Sequence, residues 1–356
     1  MANDKRGNKK SIGWFCSYVP EEMIIAAGFE PVRLKGEMEK VKAADSYLFS
    51  NICPYVKNIL ESGLSNKFGN VEGIIFSNSC DGMRRLYDLW TQYVQTPFTY
   101  MLEIPKNRDE HGIKYLAAQF FDLKTRLEEA FDIEISNDHL SKAISFMNDR
   151  RTMVMDLFES QKEIPSRHQG SELLALCMEE ATCPKEETTE RIKNISGQSS
   201  ASKHSQQKLP RIAVMGNLVD NPILFSMVES AGASVVFFDT CNGLIHYTNP
   251  VENGSDPIES LARRYLLKPP CVRMPGFGKR IERLEQLIED YSIEGIIYNN
   301  LKFCDYSLFE APQVEGFLRK SSFPFLVLEN DYLWGDVERI RTRVEAFLEV
   351  VKDEFE

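Results

Sequence analysis

Two stretches of the chain repeat one hydrophobic rhythm. SIGWFCSYVPEEMIIAAGFEPVRL, from Ser11, and RIAVMGNLVDNPILFSMVESAGASVVFFDT, from Arg211, each open on a short apolar run. Each then crosses a polar loop, continues with apolar residues at helical spacing, and closes on a second apolar run. Ala-Ala-Gly and Ser-Ala-Gly end the two helical parts, because glycine accepts the left-handed conformation that stops a helix. The pattern predicts strand, loop, helix, strand, twice.

A second pair of stretches matches more closely. VEGIIFSNSCDGMRRLYDLW and IEGIIYNNLKFCDYSLFEAP each give an apolar strand, a polar tip with Asn, a Cys-Asp pair and a helix, which makes Cys80 and Cys304 repeat equivalents. A further strand follows each, in TPFTYMLEIP and FPFLVLENDYL. Strands alternating with helices predict parallel sheets. From about Asn107 to Pro184 the apolar residues fall at helical spacing, with SNDH offering an N-cap. KEETTERIKNISGQSSASKHSQQK is polar and reads as an exposed segment or linker. The expected architecture is α/β: an N-terminal lobe over 1–106, a helical insert and linker over 107–205, and a C-terminal lobe over 206–356.

Composition narrows the function classes. The 356 residues suffice for two or three domains of about 100–200 residues each. A net charge of -11 lacks the basic footprint of a nucleic-acid binder, so no nucleic-acid partner is expected. MANDKRGNKK is followed by no secretory apolar core, and no apolar run approaches the ~20 residues that cross a bilayer. The expectation is a cytoplasmic protein with no membrane partner. RIAVMGNLVDNP lacks the dinucleotide G-x-G-x-x-G, and no G-x-x-x-x-G-K-[ST] occurs, which argues against NAD and ATP enzymes.

The eight cysteines change the picture most. In the reducing cytosol they are buried thiols or ligands rather than disulfides, and the absence of C-x-x-C sets aside zinc ribbons and contiguous ferredoxin runs. Cys16 and Cys80 follow strands of the first lobe, Cys241 and Cys304 follow strands of the second, and Cys53 and Cys271 precede helices. Each lobe thus has three. Parallel sheets bind ligands at the carboxyl ends of their strands, where helix N-termini point N–H groups inward and favour thiolate. Three thiolates would leave one iron of a cubane open to substrate, water or a bridging sulfide. Cys177 and Cys183, in LALCMEEATCP, read instead as packing residues. Zinc and a thiol redox switch remain alternatives, although neither accounts for the duplication.

GWFCSYVPEEMIIAAGFEPVRL, SCDGMRRLYDLW, RRYLLKPPCVRMPGFGKRIERLEQLI, EGIIYNNLKFCDYSLFEAP and LENDYLWGDVERIRTRVEAFLE together resemble the 2-hydroxyacyl-CoA dehydratase D-component and benzoyl-CoA reductase family. The likeness covers both lobes and is weakest over the insert. It implies two Rossmann-like lobes in pseudo-repeat, an oxygen-sensitive 4Fe-4S cluster, and very low-potential electrons from a separate ATP-dependent iron–sulfur activator. It also implies an acyl-CoA substrate, whose one-electron reduction to a ketyl radical permits loss of water. Within the family, Cys16, Cys53, Cys80, Cys241, Cys271 and Cys304 resemble in order the pattern of double-cubane proteins. Those proteins carry an 8Fe-9S cluster and reduce small molecules. A homodimer fits that reading, and a homologous second subunit fits the dehydratase. A non-catalytic iron–sulfur electron carrier is the alternative from a different class.

Other residues carry two readings each. Glu21 and Glu22 are candidate catalytic proton carriers beside Cys16, or simply complement a helix dipole. Asp81 and Asp305 are expected to cap the helices that follow them. Arg84, Arg85 and Arg273 would hold CoA phosphates or offset cluster charge, or form surface ion pairs. His246 reads as a loop residue.

Overall fold

The computed structural model describes residues 10–197 and 208–355. The charged start and the Ser-rich part of the expected linker lie outside them. The chain divides into two compact units. The first takes the described parts of Met1–Thr152 with Glu179–Thr189 and Thr248–Pro269; the second takes Met153–Met178, Glu190–Tyr247 and Pro270–Glu356, within the described residues.

The first stretch runs β1 (Ser11–Trp14), α1 (Glu21–Ala26), β2 (Glu30–Arg33), α2 (Pro54–Leu64), β3 (Gly73–Ser77), α3 (Asp81–Tyr93) and β4 (Phe98–Leu102). Four helices follow: α4 (Glu110–Phe131), α5 (Asn137–Ser160), α6 (Gly170–Thr182) and α7 (Lys185–Gly197). The chain continues through β5 (Arg211–Gly216), α8 (Ile223–Ser230), β6 (Ser234–Asp239), α9 (Leu244–Tyr247), α10 (Pro257–Leu267) and α11 (Phe277–Asp290). It closes with β7 (Gly295–Leu301), α12 (Asp305–Leu318), β8 (Phe325–Asn330) and α13 (Val337–Phe355).

Each unit holds one four-stranded, all-parallel sheet, and the two orders are the same, β2-β1-β3-β4 and β6-β5-β7-β8. This is the expected pair of Rossmann-like lobes. The central strands are buried on both faces, as the unbroken apolar runs Gly-Ile-Ile-Phe and Gly-Ile-Ile-Tyr require. Ile212, Val214, Ile296 and Ile297 are fully buried in the second core. Each such side chain contributes roughly 1.5–3 kcal/mol on leaving water.

Sheet register refines the repeat. Gly13 pairs with Ile74 and Ala213 with Ile296, so Cys16 falls on Gly216 and Ser17 on Asn217. Gly216 stands at φ +103°, and a Cβ there would lie 2.3 Å from the Asn299 carbonyl oxygen. A side chain at the position equivalent to Cys16 is therefore sterically disfavoured in the second unit, where Cys241 lies instead two residues beyond β6.

Three local expectations need correction. The polar stretch from Lys185 is not a linker over its first half: it forms α7, which buries Ile192 and Ile195 every third position while exposing Lys193 and Asn194. Asp81 and Asp305 are the first helical residues rather than caps; Cys80 and Cys304 hold the cap positions, with no side-chain cap bond. His246 lies in the short α9 and is buried. In the SNDH segment, Ser136 supplies the cap by accepting the His139 N–H at 3.2 Å.

Candidate functional site

In the first unit, Cys16 lies two residues beyond β1 and Cys80 three beyond β3, both at the carboxyl edge of the sheet. Cys53 is the N-cap of α2 and Cys80 that of α3. These helix starts pack closely: a Cβ on Gly82 would lie 3.1 Å from Val56 Cγ2. All three thiols are half-buried. The backbone after Cys16 is fixed by a buried cation, because the Lys268 ammonium donates to the Ser17 carbonyl at 2.6 Å and lies 4.4 Å from the Tyr18 ring centroid.

The second unit places Cys241 two residues beyond β6 and Cys304 at the head of α12, three beyond β7. Cys241 and Cys271 line one cavity of about 40 Å³ with Gly216, Arg280, Arg283 and Tyr298. Donors reach two of the sulfurs: the Asn217 amide lies 3.2 Å from Cys304 Sγ, and the Arg273 guanidinium 3.9 Å from Cys241 Sγ. Arg280 steadies the Cys271 turn by donating to the Met274 carbonyl at 2.8 Å. Glu310 aims it, pairing with Arg280 and accepting from the Tyr298 hydroxyl at 2.8 Å. Burial and the adjacent Glu310 carboxylate push the Tyr298 hydroxyl up, so it stays a donor. Burial also raises Asp239 despite the nearby Arg283.

Glu21 and Glu22 are both fully buried at the start of α1. Glu22 accepts from Arg151 and, at 2.8 Å, from the Tyr265 hydroxyl. Burial pushes its pKa up, but the charges of Arg151 and Arg264 outweigh this and hold it below the ordinary carboxylate value. Glu21 lies 2.9 Å from the Lys185 ammonium, which also donates to Glu180. Burial opposes the Lys185 charge, yet Glu180 and Glu21 raise its pKa overall. Arg264 is pushed down to about 10, first by burial and then by Arg151. Glu21 and Glu22 brace α1 against α5, α7 and α10 through Arg151, Lys185 and Tyr265. Arg84 and Arg85 are exposed, with Arg85 3.0 Å from Asp88.

Among the described residues, no three His, Cys, Asp or Glu side chains lie close enough to clasp a single metal ion. In a cubane each cysteine binds a different iron, so the sulfurs stand wider apart than around one ion. Soft thiols at helix starts and strand ends, with amide and guanidinium donors at two of the sulfurs, form a donor set that fits an iron–sulfur group. Sequence reasoning missed Asn217, Arg280, Glu310 and Lys268. Asn217 aligns with Ser17 in the repeat, and Lys268, Arg280 and Glu310 fall within the stretches that carry the family resemblance, but the contacts that give all four their roles are made only on folding.

The profile of the family described as 2-hydroxyglutaryl-CoA dehydratase, D-component, matches residues 16–351. The chain is 22% identical over 352 residues to the (R)-phenyllactyl-CoA dehydratase beta subunit of Clostridium sporogenes, covering 99% of this chain and 94% of that one. It is 24% identical to a benzoyl-CoA reductase subunit of Thauera aromatica, covering 97% and 92%. It is 23% identical to the (R)-2-hydroxyglutaryl-CoA dehydratase beta subunit of Acidaminococcus fermentans, covering 98% and 94%. Among the described residues, no helix is long and apolar enough to cross a membrane.

Proposed function

Because the chain belongs to the 2-hydroxyglutaryl-CoA dehydratase D-component family, we propose that it is the cluster-bearing subunit of a cytoplasmic enzyme that dehydrates a 2-hydroxyacyl-CoA. Its low-potential electrons come from a separate ATP-dependent activator. The observation that carries this reading is the placement of thiols in two sheets of one topology. Four of the six candidate cysteines, Cys16, Cys80, Cys241 and Cys304, stand just beyond the carboxyl ends of parallel strands. Cys53 caps α2, and Cys271 shares a cavity with Cys241.

An iron–sulfur cluster, when bound, supplies a one-electron route at low potential. The chain's residues would supply the rest. Cys16, Cys53, Cys80, Cys241, Cys271 and Cys304 provide thiolates, whose charge the N–H groups of α2, α3 and α12 offset. Arg273 adds a positive charge at Cys241, and the Lys268 ammonium and the Arg280–Glu310–Tyr298 group hold the loops that carry Cys16 and Cys271. Glu21 and Glu22 are the nearest carboxylates in sequence to Cys16 and remain the candidate proton carriers. Their buried ion pairs favour a bracing role.

The equal division of the six cysteines supports a second reading, a double-cubane small-molecule reductase that assembles as a homodimer. A dehydratase would pair with a homologous subunit. Replacing Cys80 or Cys304 by Ser should lower the iron bound per chain in anaerobically prepared protein. Iron content and spectrum equal to those of the unmodified chain would remove that cysteine from the ligand set.

A further inference from the structure

Asn217 and Cys304 meet at the carboxyl edge of the second sheet, in a part of the core that excludes water. Asn217 is 3% exposed, Cys304 7%, and Ser307 fully buried. The direction of the Asn217 amide is fixed by its surroundings. Its Oδ1 accepts the Leu301 backbone N–H at 2.8 Å and the Ser307 hydroxyl at 2.7 Å. A backbone N–H can only donate, so the atom it meets must be the oxygen, and the flipped amide is ruled out. The Nδ2 group is left facing Cys304 Sγ at 3.2 Å. The residue is held from its main chain too, since its own N–H donates to the Asn299 carbonyl at 2.8 Å.

The sulfur is equally constrained. Cys304 caps α12, its N–H donates to the Leu301 carbonyl at 3.1 Å, and its carbonyl accepts the Leu308 N–H at 3.0 Å. Phe303, just before it, is held at φ +58°, a conformation that costs a bulky residue energy and that the surrounding structure must enforce. Two rigid elements thus present one amide N–H to one sulfur. Such a bond stabilises negative charge on the sulfur, and more strongly in a dry site than in water.

We propose that Asn217 is a positioning residue that holds Cys304 as a sulfur ligand and raises the reduction potential of the group bound there. The proposal rests on the iron–sulfur reading above. Reduction adds negative charge, which an N–H aimed at sulfur favours, so loss of the donor makes reduction harder. In the first unit the matching position is Ser17, which engages Lys268 through its backbone carbonyl. The two units therefore differ in how they set the charge around their thiols.

Asn217→Asp keeps the side-chain shape and the oxygen that meets Leu301, and replaces the donor with an acceptor. Asn217→Ser introduces the residue type of the other unit and shortens the side chain. Both are compared with the unmodified chain, prepared and reconstituted without oxygen, by iron content and by paramagnetic resonance during a redox titration. Asn217→Asp should make reduction about tenfold less favourable, a negative midpoint shift of ~59 mV for one electron. Asn217→Ser should shift the midpoint in the same direction. If either folded variant keeps its iron and has the midpoint and spectrum of the unmodified chain, the inference is overturned while the iron–sulfur reading stands. An unmodified chain that takes up no iron overturns both, and that failure is seen before any variant is made.

Discussion

Glu22 shows what a buried charge requires of its neighbours. Its carboxylate is fully shielded from water and is kept ionised by Arg151, Arg264 and the Tyr265 hydroxyl. Glu22→Gln leaves Arg151 with an uncompensated charge and should destabilise the protein by about 3–5 kcal/mol at neutral pH. The sign with pH follows from the depressed pKa. The stabilisation is complete above the unfolded carboxylate value of about 4.3 and is lost as pH falls through the lower folded value. Denaturant unfolding of both proteins should therefore show a gap that narrows in acid; a gap constant with pH would contradict the ionised assignment. Little of this was legible from sequence. Two glutamates at a helix start suit the helix dipole by themselves, whereas their partners are distant in sequence and converge only on folding. Cys16, Cys53, Cys80, Cys241 and Cys304 were easier to place, because each stands near a strand end or helix start that the hydrophobic pattern marks.

At the scale of elements, strands and helices with strong apolar periodicity were legible, and the duplication revealed itself through matched motifs. α7 was not, because its buried stripe is narrow and a polar composition masks it. Ile192 is fully buried, so Ile192→Ala should cost about 2–5 kcal/mol in denaturant unfolding. Lys193→Ala, on the exposed face, should stay within about 0.5 kcal/mol. Equal effects would mean that α7 does not pack. Gly216 carries the clearest difference between the repeats. Gly216→Ala forces a Cβ toward the Asn299 carbonyl at a left-handed φ and should lower the melting temperature, whereas Gly278→Ala, where a Cβ meets nothing within 4 Å, should not. A thermal melt of the three proteins reads the contrast, and coincident melts would show that the β5 edge yields without cost.

For the whole molecule, the sequence pattern anticipated two parallel-sheet lobes but not how the chain is shared between compact units. Thr248–Pro269, which carries α10, follows β6 yet belongs to the first unit, where Arg263 pairs with Glu110 at 2.8 Å and Arg108 donates to the Lys268 carbonyl. Hydrophobic periodicity identifies an element and its buried face, but not which of two cores will take it. The resemblance to acyl-CoA dehydratase and benzoyl-CoA reductase subunits was legible because several motifs occur in order along almost the whole chain. The central proposal is that the six candidate cysteines, three in each compact unit, serve as iron–sulfur ligands. Iron and acid-labile sulfide per chain, measured on protein purified without oxygen and reconstituted, test it most directly. About four irons with matching sulfide would fit the dehydratase reading and about eight the double-cubane reading, whereas negligible iron and sulfide would contradict the account.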